Sequence, residues 1–108
     1  MASTWSALSD PHRRAAIELL RDRPRTVNEL VQELGLSQPG TSKHLRVLRD
    51  AGLVESRVDA QRRLYRVRSE PLREVDTWLA PYRAMWGSSL DALERHLDRM
   101  GPETRTST

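Results

Sequence analysis

The chain has 108 residues, of which 31% are charged, 5% are aromatic and none is cysteine or phenylalanine. This length sets the expectation of one domain with a modest core, and the missing thiols exclude disulfides, thiolate metal ligands and a cysteine nucleophile. The net charge of +3 is unevenly placed: residues 1–35 balance, 69–108 are net acidic, and 36–68 set eight basic side chains against three acids, the footprint of a polyanion binder. No apolar run approaches the roughly 18 residues of a membrane span. The opening MASTWSALSDPHRR lacks the basic-then-apolar pattern of a secretory leader, so a cytoplasmic protein is expected.

The first helix is expected to open at Asp10-Pro11, a side-chain acceptor followed by a residue whose missing N–H costs nothing in a first turn. Ala16, Ile17 and Leu20 supply its apolar stripe, and it stops before Pro24. A second helix begins at Thr26-Val-Asn-Glu29, a capping-box pattern, and Val27, Leu30, Val31 and Leu34 follow at i, i+3, i+4 and i+7. Gly35 suits the left-handed residue that ends it. Ser37 then caps a third helix with Pro39 in its first turn, running to Ala51 and ending at Gly52. Two short helices joined by so tight a turn predict a helix-turn-helix, whose second helix lies across a major groove of duplex DNA.

Leu53–Val58 and Arg63–Val67 show the period of two expected of strands, with Asp59-Ala-Gln-Arg62 as a tight basic turn between them. The expected fold is therefore mainly α with one small β-hairpin, a winged helix-turn-helix. Glu70-Pro71 opens a long last helical region. Its apolar positions Leu72, Val75, Leu79, Tyr82, Trp86, Leu90, Leu93, Leu97 and Met100 recur every 3.5 residues on average, the seam spacing of helices packed lengthwise. Pro81 is expected to kink or divide this region. At 1.5 Å per residue it spans about 42 Å, longer than a small domain is wide, so the seam predicts a dimer. Residues 1–100 form the expected winged-helix domain, and 101–108, GPETRTST, a disordered tail.

On a helical wheel centred on Leu45, Thr41, His44, Leu48 and Ala51 share the leucine side, while Pro39, Ser42, Lys43, Arg46 and Asp50 face away. The first turns of this helix supply the base-reading candidates Gln38, Gly40, Thr41, Ser42 and Lys43, although the wheel puts Thr41 beside the leucines. Gln pairs with adenine, Lys with guanine and Ser with either. Candidate phosphate contacts are Ser37, His44, Arg46 and Arg49, with His44 at the edge of the core face. At the hairpin tip, Gln61, Arg62 and Arg63 are candidates for gripping the backbone or entering a narrow minor groove.

The stretch SQPGTSKHLRVLRDAGLV, with LSDPHRRAAIELL before it and QRRLYRV after, resembles the ArsR-type winged-helix repressors over residues 6 to 98. The pattern Ser37, Gln38, Pro39, Ser42, His44, Leu45 followed by Leu-Arg-x-Ala-Gly-Leu-Val carries the resemblance. It implies a homodimeric bacterial repressor that binds double-stranded DNA with its third helix and wing. It also implies dimerisation through the first and last helices, placing Trp5, Leu8, Leu79, Tyr82, Trp86, Leu90, Leu93 and Leu97 at the interface. The metal-sensing members' Cys-Val-Cys-x-Leu-Cys motif falls here on Thr26, Val27, Asn28, Glu29, Leu30 and Val31, without a thiol. Their C-terminal Asp-x-His site has no full counterpart either. Asp91, Glu94, His96 and Asp98 leave only weak zinc binding as an option, so no metal cofactor is expected.

An aromatic cluster of Trp78, Tyr82, Met85 and Trp86 offers a place for an apolar inducer of unknown identity, with plain packing as the alternative. An enzyme is not expected: His12, His44 and His96 fall on three different helices, and no nucleophile-elbow, zincin or P-loop pattern occurs. A winged helix that docks another protein is the remaining alternative, and it leaves the basic middle third without a purpose.

Overall fold

The computed structural model describes residues 3–100, apart from the side chains of Ser88, Ser89, Leu90 and Met100. The tail expected at 101–108 lies outside the described residues, as does the Leu90 side chain placed at the dimer seam. Backbone packing divides the chain after Val75. In chain order the elements are α1 (Thr4–Leu8), α2 (Pro11–Asp22), β1 (Arg25–Thr26), α3 (Val27–Leu34), α4 (Gln38–Asp50), β2 (Val54–Asp59), β3 (Arg62–Val67) and α5 (Leu72–Met100). No described helix is long and apolar enough to cross a membrane.

The unit up to Val75 is the expected helix-turn-helix and wing, with two additions. Helix α1 has only five residues, too few to persist alone, and is held at both ends. Ser3 Oγ accepts from the Ser6 N–H at 3.0 Å. At the other end Arg13 donates to the Ala7 and Ser6 carbonyls at 2.7 and 3.2 Å, and Arg14 to the Leu8 carbonyl at 2.8 Å. The second addition is β1, which makes the expected hairpin a three-stranded antiparallel sheet in the order β1-β3-β2, with Arg25 opposite Tyr65 and Thr26 opposite Leu64. Arg25 is buried, its guanidinium donating to the Leu19 carbonyl at 3.1 Å and to Asp22 at 3.2 Å. A buried Arg needs such partners, and these also satisfy a carbonyl in the last turn of α2.

Ala7, Ala16, Leu20, Leu30, Leu45, Leu48, Leu53 and Val54 form the core, with Leu8, Ile17, Val27, Leu34, Tyr65 and Val67 packed against it. Strand alternation holds only near that core: Val54 is 2% exposed, whereas Val58, on the same face but further out, is 63% exposed. The hairpin closes through Asp59 opposite Arg62, leaving Ala60-Gln61 as a two-residue loop. Such loops require a positive φ, and Ala60 supplies it at 58°.

Pro81 does not divide the last helix. Helix α5 continues through it for 29 residues, because the missing N–H removes a single bond, to the Thr77 carbonyl, while the turns on either side keep theirs. Several of its apolar side chains are exposed, Trp78, Tyr82, Met85, Trp86 and Leu93 each being more than two-fifths accessible, whereas Leu72, Val75, Leu79 and Leu97 are half-buried. The rings form a ladder, with centroids 4.9 Å apart for Trp78 and Tyr82 and 6.4 Å for Tyr82 and Trp86.

Candidate nucleic-acid interface

The turn that aims α4 is built from local chemistry. Thr26 Oγ1 accepts from the Glu29 N–H at 3.2 Å while Glu29 Oε1 accepts from the Thr26 N–H at 3.0 Å, so the capping box is complete. The Thr26 N–H, and next the Arg23 guanidinium 3.0 Å away, hold the Glu29 carboxyl below its ordinary range. Gly35 ends α3 at φ 68°, a conformation that favours glycine. Ser37 Oγ accepts from the Gly40 N–H at 3.1 Å and starts α4 two residues later. A Cβ at Gly40 would lie 3.0 Å from that capping oxygen, so glycine there keeps the cap intact.

The outer face of α4 carries Gln38, Pro39, Lys43, Arg46 and Arg49, all exposed, with Gly40 and Ser42 half-buried beside them. Thr41 does not belong with them. It is fully buried, one turn before Leu45 on the core face, and a base-reading role for it is corrected to packing. His44 is half-buried and lies against α2: its Nδ1 is 3.3 Å from Arg13, and its ring centroid is 5.8 Å from that of His12. Of the two roles left open for it, packing is the one its surroundings favour.

Charge separates α4 and the wing from the rest of the basic segment. Arg66 is bonded to Glu55, and Arg68 lies 3.9 and 3.6 Å from Glu55 and Glu70, so these charges are compensated. Lys43, Arg46, Arg49, Arg57 and Arg63 form no ion pair with any described residue. At the wing tip Gln61, Arg62 and Arg63 are exposed; Arg62 reaches Asp59 at 3.4 Å and Arg63 donates to Ser56 Oγ at 3.1 Å. The structure brings the two expected grips together. Gln38 at the start of α4 and Gln61, Arg62 and Arg63 of the wing line one cleft of about 450 Å³, closed on its third side by Thr26–Glu29. The structure adds two residues to the sequence candidates: Asn28, exposed in that cleft, and Arg57, exposed on β2. Asn28 sits inside the capping box, and Arg57 lay in the counted charge, so both signals were present in the sequence.

The acids and histidine weighed for zinc on α5, Asp91, Glu94 and His96, are exposed and form no group of three converging ligands. Among the described residues the group that does converge is Asp10, His12 and His44. Two of the three histidines on separate helices are thus neighbours.

Residues 10–56 match the family model described as bacterial regulatory protein, arsR family. The chain is 36% identical over 100 residues to the HTH-type transcriptional regulator Rv2034 of Mycobacterium tuberculosis, covering 93% of this chain and 91% of that one. The ArsR-like transcriptional regulator from Rhodococcus sp. RHA1 superposes with a TM-score of 0.68 at 28% identity, covering 90% of this chain and 89% of its own. The homodimeric winged helix-turn-helix DNA-binding domain of Mb0332 from Mycobacterium bovis superposes with a TM-score of 0.58 at 25% identity, over 82% and 79% of the two chains.

Proposed function

The chain belongs to the ArsR family of bacterial regulatory proteins and is a DNA-binding transcriptional regulator, not an enzyme; from that premise we propose that it acts as a homodimeric repressor on an inverted repeat. One observation carries this reading: within the basic segment 36–68, Lys43, Arg46, Arg49, Arg57 and Arg63, on α4 and the wing, have no acid partner among the described residues, and both elements line a single cleft. Each protomer lays α4 in a major groove. Gln38, Ser42 and Lys43 read base edges, while Arg46, Arg49 and the wing residues Arg62 and Arg63 hold phosphates. Occupying the operator then excludes polymerase. Such a regulator works in the compartment that holds the chromosome, the cytoplasm.

The exposed aliphatic and aromatic ladder of α5 supports the dimer, because contiguous apolar surface of this kind is the usual mark of an association site. Of the two α1 candidates for dimerisation, Trp5 is 42% exposed, whereas Leu8 is half-buried against the core of its own chain. The homodimer reported for the Mycobacterium bovis relative agrees. A protein-docking role leaves the uncompensated cations unexplained.

Selection of binding sites from random duplexes by the purified chain tests the proposal. The expected product is an inverted repeat with half-site centres about one helical turn, or a small multiple, apart. Enrichment of no sequence, or a chain that sediments as a single subunit at micromolar concentration, would contradict it.

A further inference from the structure

We propose that Asp10, His12 and His44 form a binding site for a divalent transition-metal ion of the zinc class, joining the first turn of α2 to the middle of α4. Each residue offers one ligand atom, and the three atoms lie within 4.8 Å of one another. His12 Nδ1 is 3.7 Å from Asp10 Oδ1, and the rings of His12 and His44 are tilted by 32°. Ligands on a tetrahedral zinc ion sit about 3.4 Å apart, given bonds of about 2.0–2.1 Å. The remaining closure falls within a side-chain rotation of His12, which is exposed at the start of its helix.

The donor set selects the ion. Two imidazoles and a carboxylate suit zinc and its neighbours rather than calcium or magnesium, which take oxygen ligands. Three protein ligands leave a fourth position for water. Asp10 is prepared for the role. Its Oδ1 accepts from the N–H groups of His12 and Arg13 at 2.7 and 3.2 Å, which fixes the carboxylate beside the His12 ring. Burial opposes ionisation of this carboxyl, but those two N–H groups and the charge of Arg13 prevail and lower its pKa.

Arg13 gives the site a consequence. Its NH1 lies 3.3 Å from His44 Nδ1, an interaction that requires the ring nitrogen to accept. A histidine bound to metal through one nitrogen keeps a proton on the other. An ion on Nδ1 therefore displaces Arg13, and an ion on Nε2 leaves Nδ1–H, which cannot accept from it. Ion and arginine compete for His44, while Arg13 keeps its bonds to the Ala7 and Ser6 carbonyls. Metal binding thus exchanges one tether of the recognition helix for another.

The test is calorimetric titration of Zn²⁺ into the full chain near neutral pH, with His12→Gln, His44→Gln and His96→Gln measured alongside and folding checked by thermal melting. The expected result is one Zn²⁺ per chain, a loss of at least about tenfold in affinity for His12→Gln and His44→Gln, and no change for His96→Gln. His12 is exposed, so its variant folds even where His44→Gln does not. Absence of Zn²⁺ binding, unchanged affinity in His12→Gln, or loss of binding in His96→Gln would each overturn the assignment.

Discussion

Thr41→Val is expected to stabilise the protein while leaving DNA recognition intact. Thr41 is fully buried between the capped first turn of α4 and Leu45, and its Oγ1 has no hydrogen-bond partner among the described residues. An orphaned buried hydroxyl forfeits its hydration for about 1–3 kcal/mol. Valine removes that loss and places a methyl group of nearly the same shape in the site, and the two residues have similar helix propensities. Allowing for imperfect repacking, the gain is about 1–2 kcal/mol. Urea unfolding at equal protein concentration, needed because dimerisation links stability to concentration, should raise the midpoint by roughly 0.5–1 M at the slopes usual for this size. Affinity for the selected operator should stay within about twofold of wild type, because the side chain points into the core. Destabilisation by about 1 kcal/mol or more would mean that the hydroxyl has a partner, the Ser37 carbonyl one turn earlier being the nearest in sequence. A change in base preference would return Thr41 to the reading face.

Three further outcomes follow from local geometry. Gly35→Ala should cost about 1 kcal/mol in the same unfolding assay: at φ 68° the penalty is conformational, since an added Cβ meets nothing within 4 Å. Ala60→Gly at the wing tip should act in the opposite sense, gaining about 0.5–1 kcal/mol, because Ala60 holds φ 58°. Glu29 has a folded-state pKa below its ordinary value of 4.5, so its contribution to stability is complete above that pH and is lost as pH falls through the lowered value. Glu29→Gln keeps a capping oxygen but no charge, so the stability difference from wild type should shrink below pH 4.5; a constant difference would show that the charge plays no part.

What the sequence disclosed depended on how local each cause is. The capping box at Thr26, the left-handed Gly35 and the Ser37 cap each act over three or four residues, and all stand where the pattern puts them. Strand β1 is two residues long and α1 five, too short to show a period, and both depend on partners distant in sequence. Pro81 signalled a break that the long helix absorbs at the loss of a single bond. Thr41 shares a turn with the base-reading candidates, yet its place on the wheel beside Leu45 is the one the packing follows. The cluster of Asp10, His12 and His44 was the least legible, because residues more than thirty positions apart converge only through the packing of α2 on α4.

The most direct test of the reading is the salt dependence of binding to the selected duplex. If Arg46, Arg49, Arg62 and Arg63 of each protomer hold phosphates, eight contacts predict a slope of log affinity on log salt near −7, about a ten-thousandfold weakening from 50 to 200 mM, and Arg62→Ala flattens the slope by about one unit per protomer. A nearly flat dependence, or no binding to any duplex at low salt, would contradict the assignment of α4 and the wing as the grips on DNA.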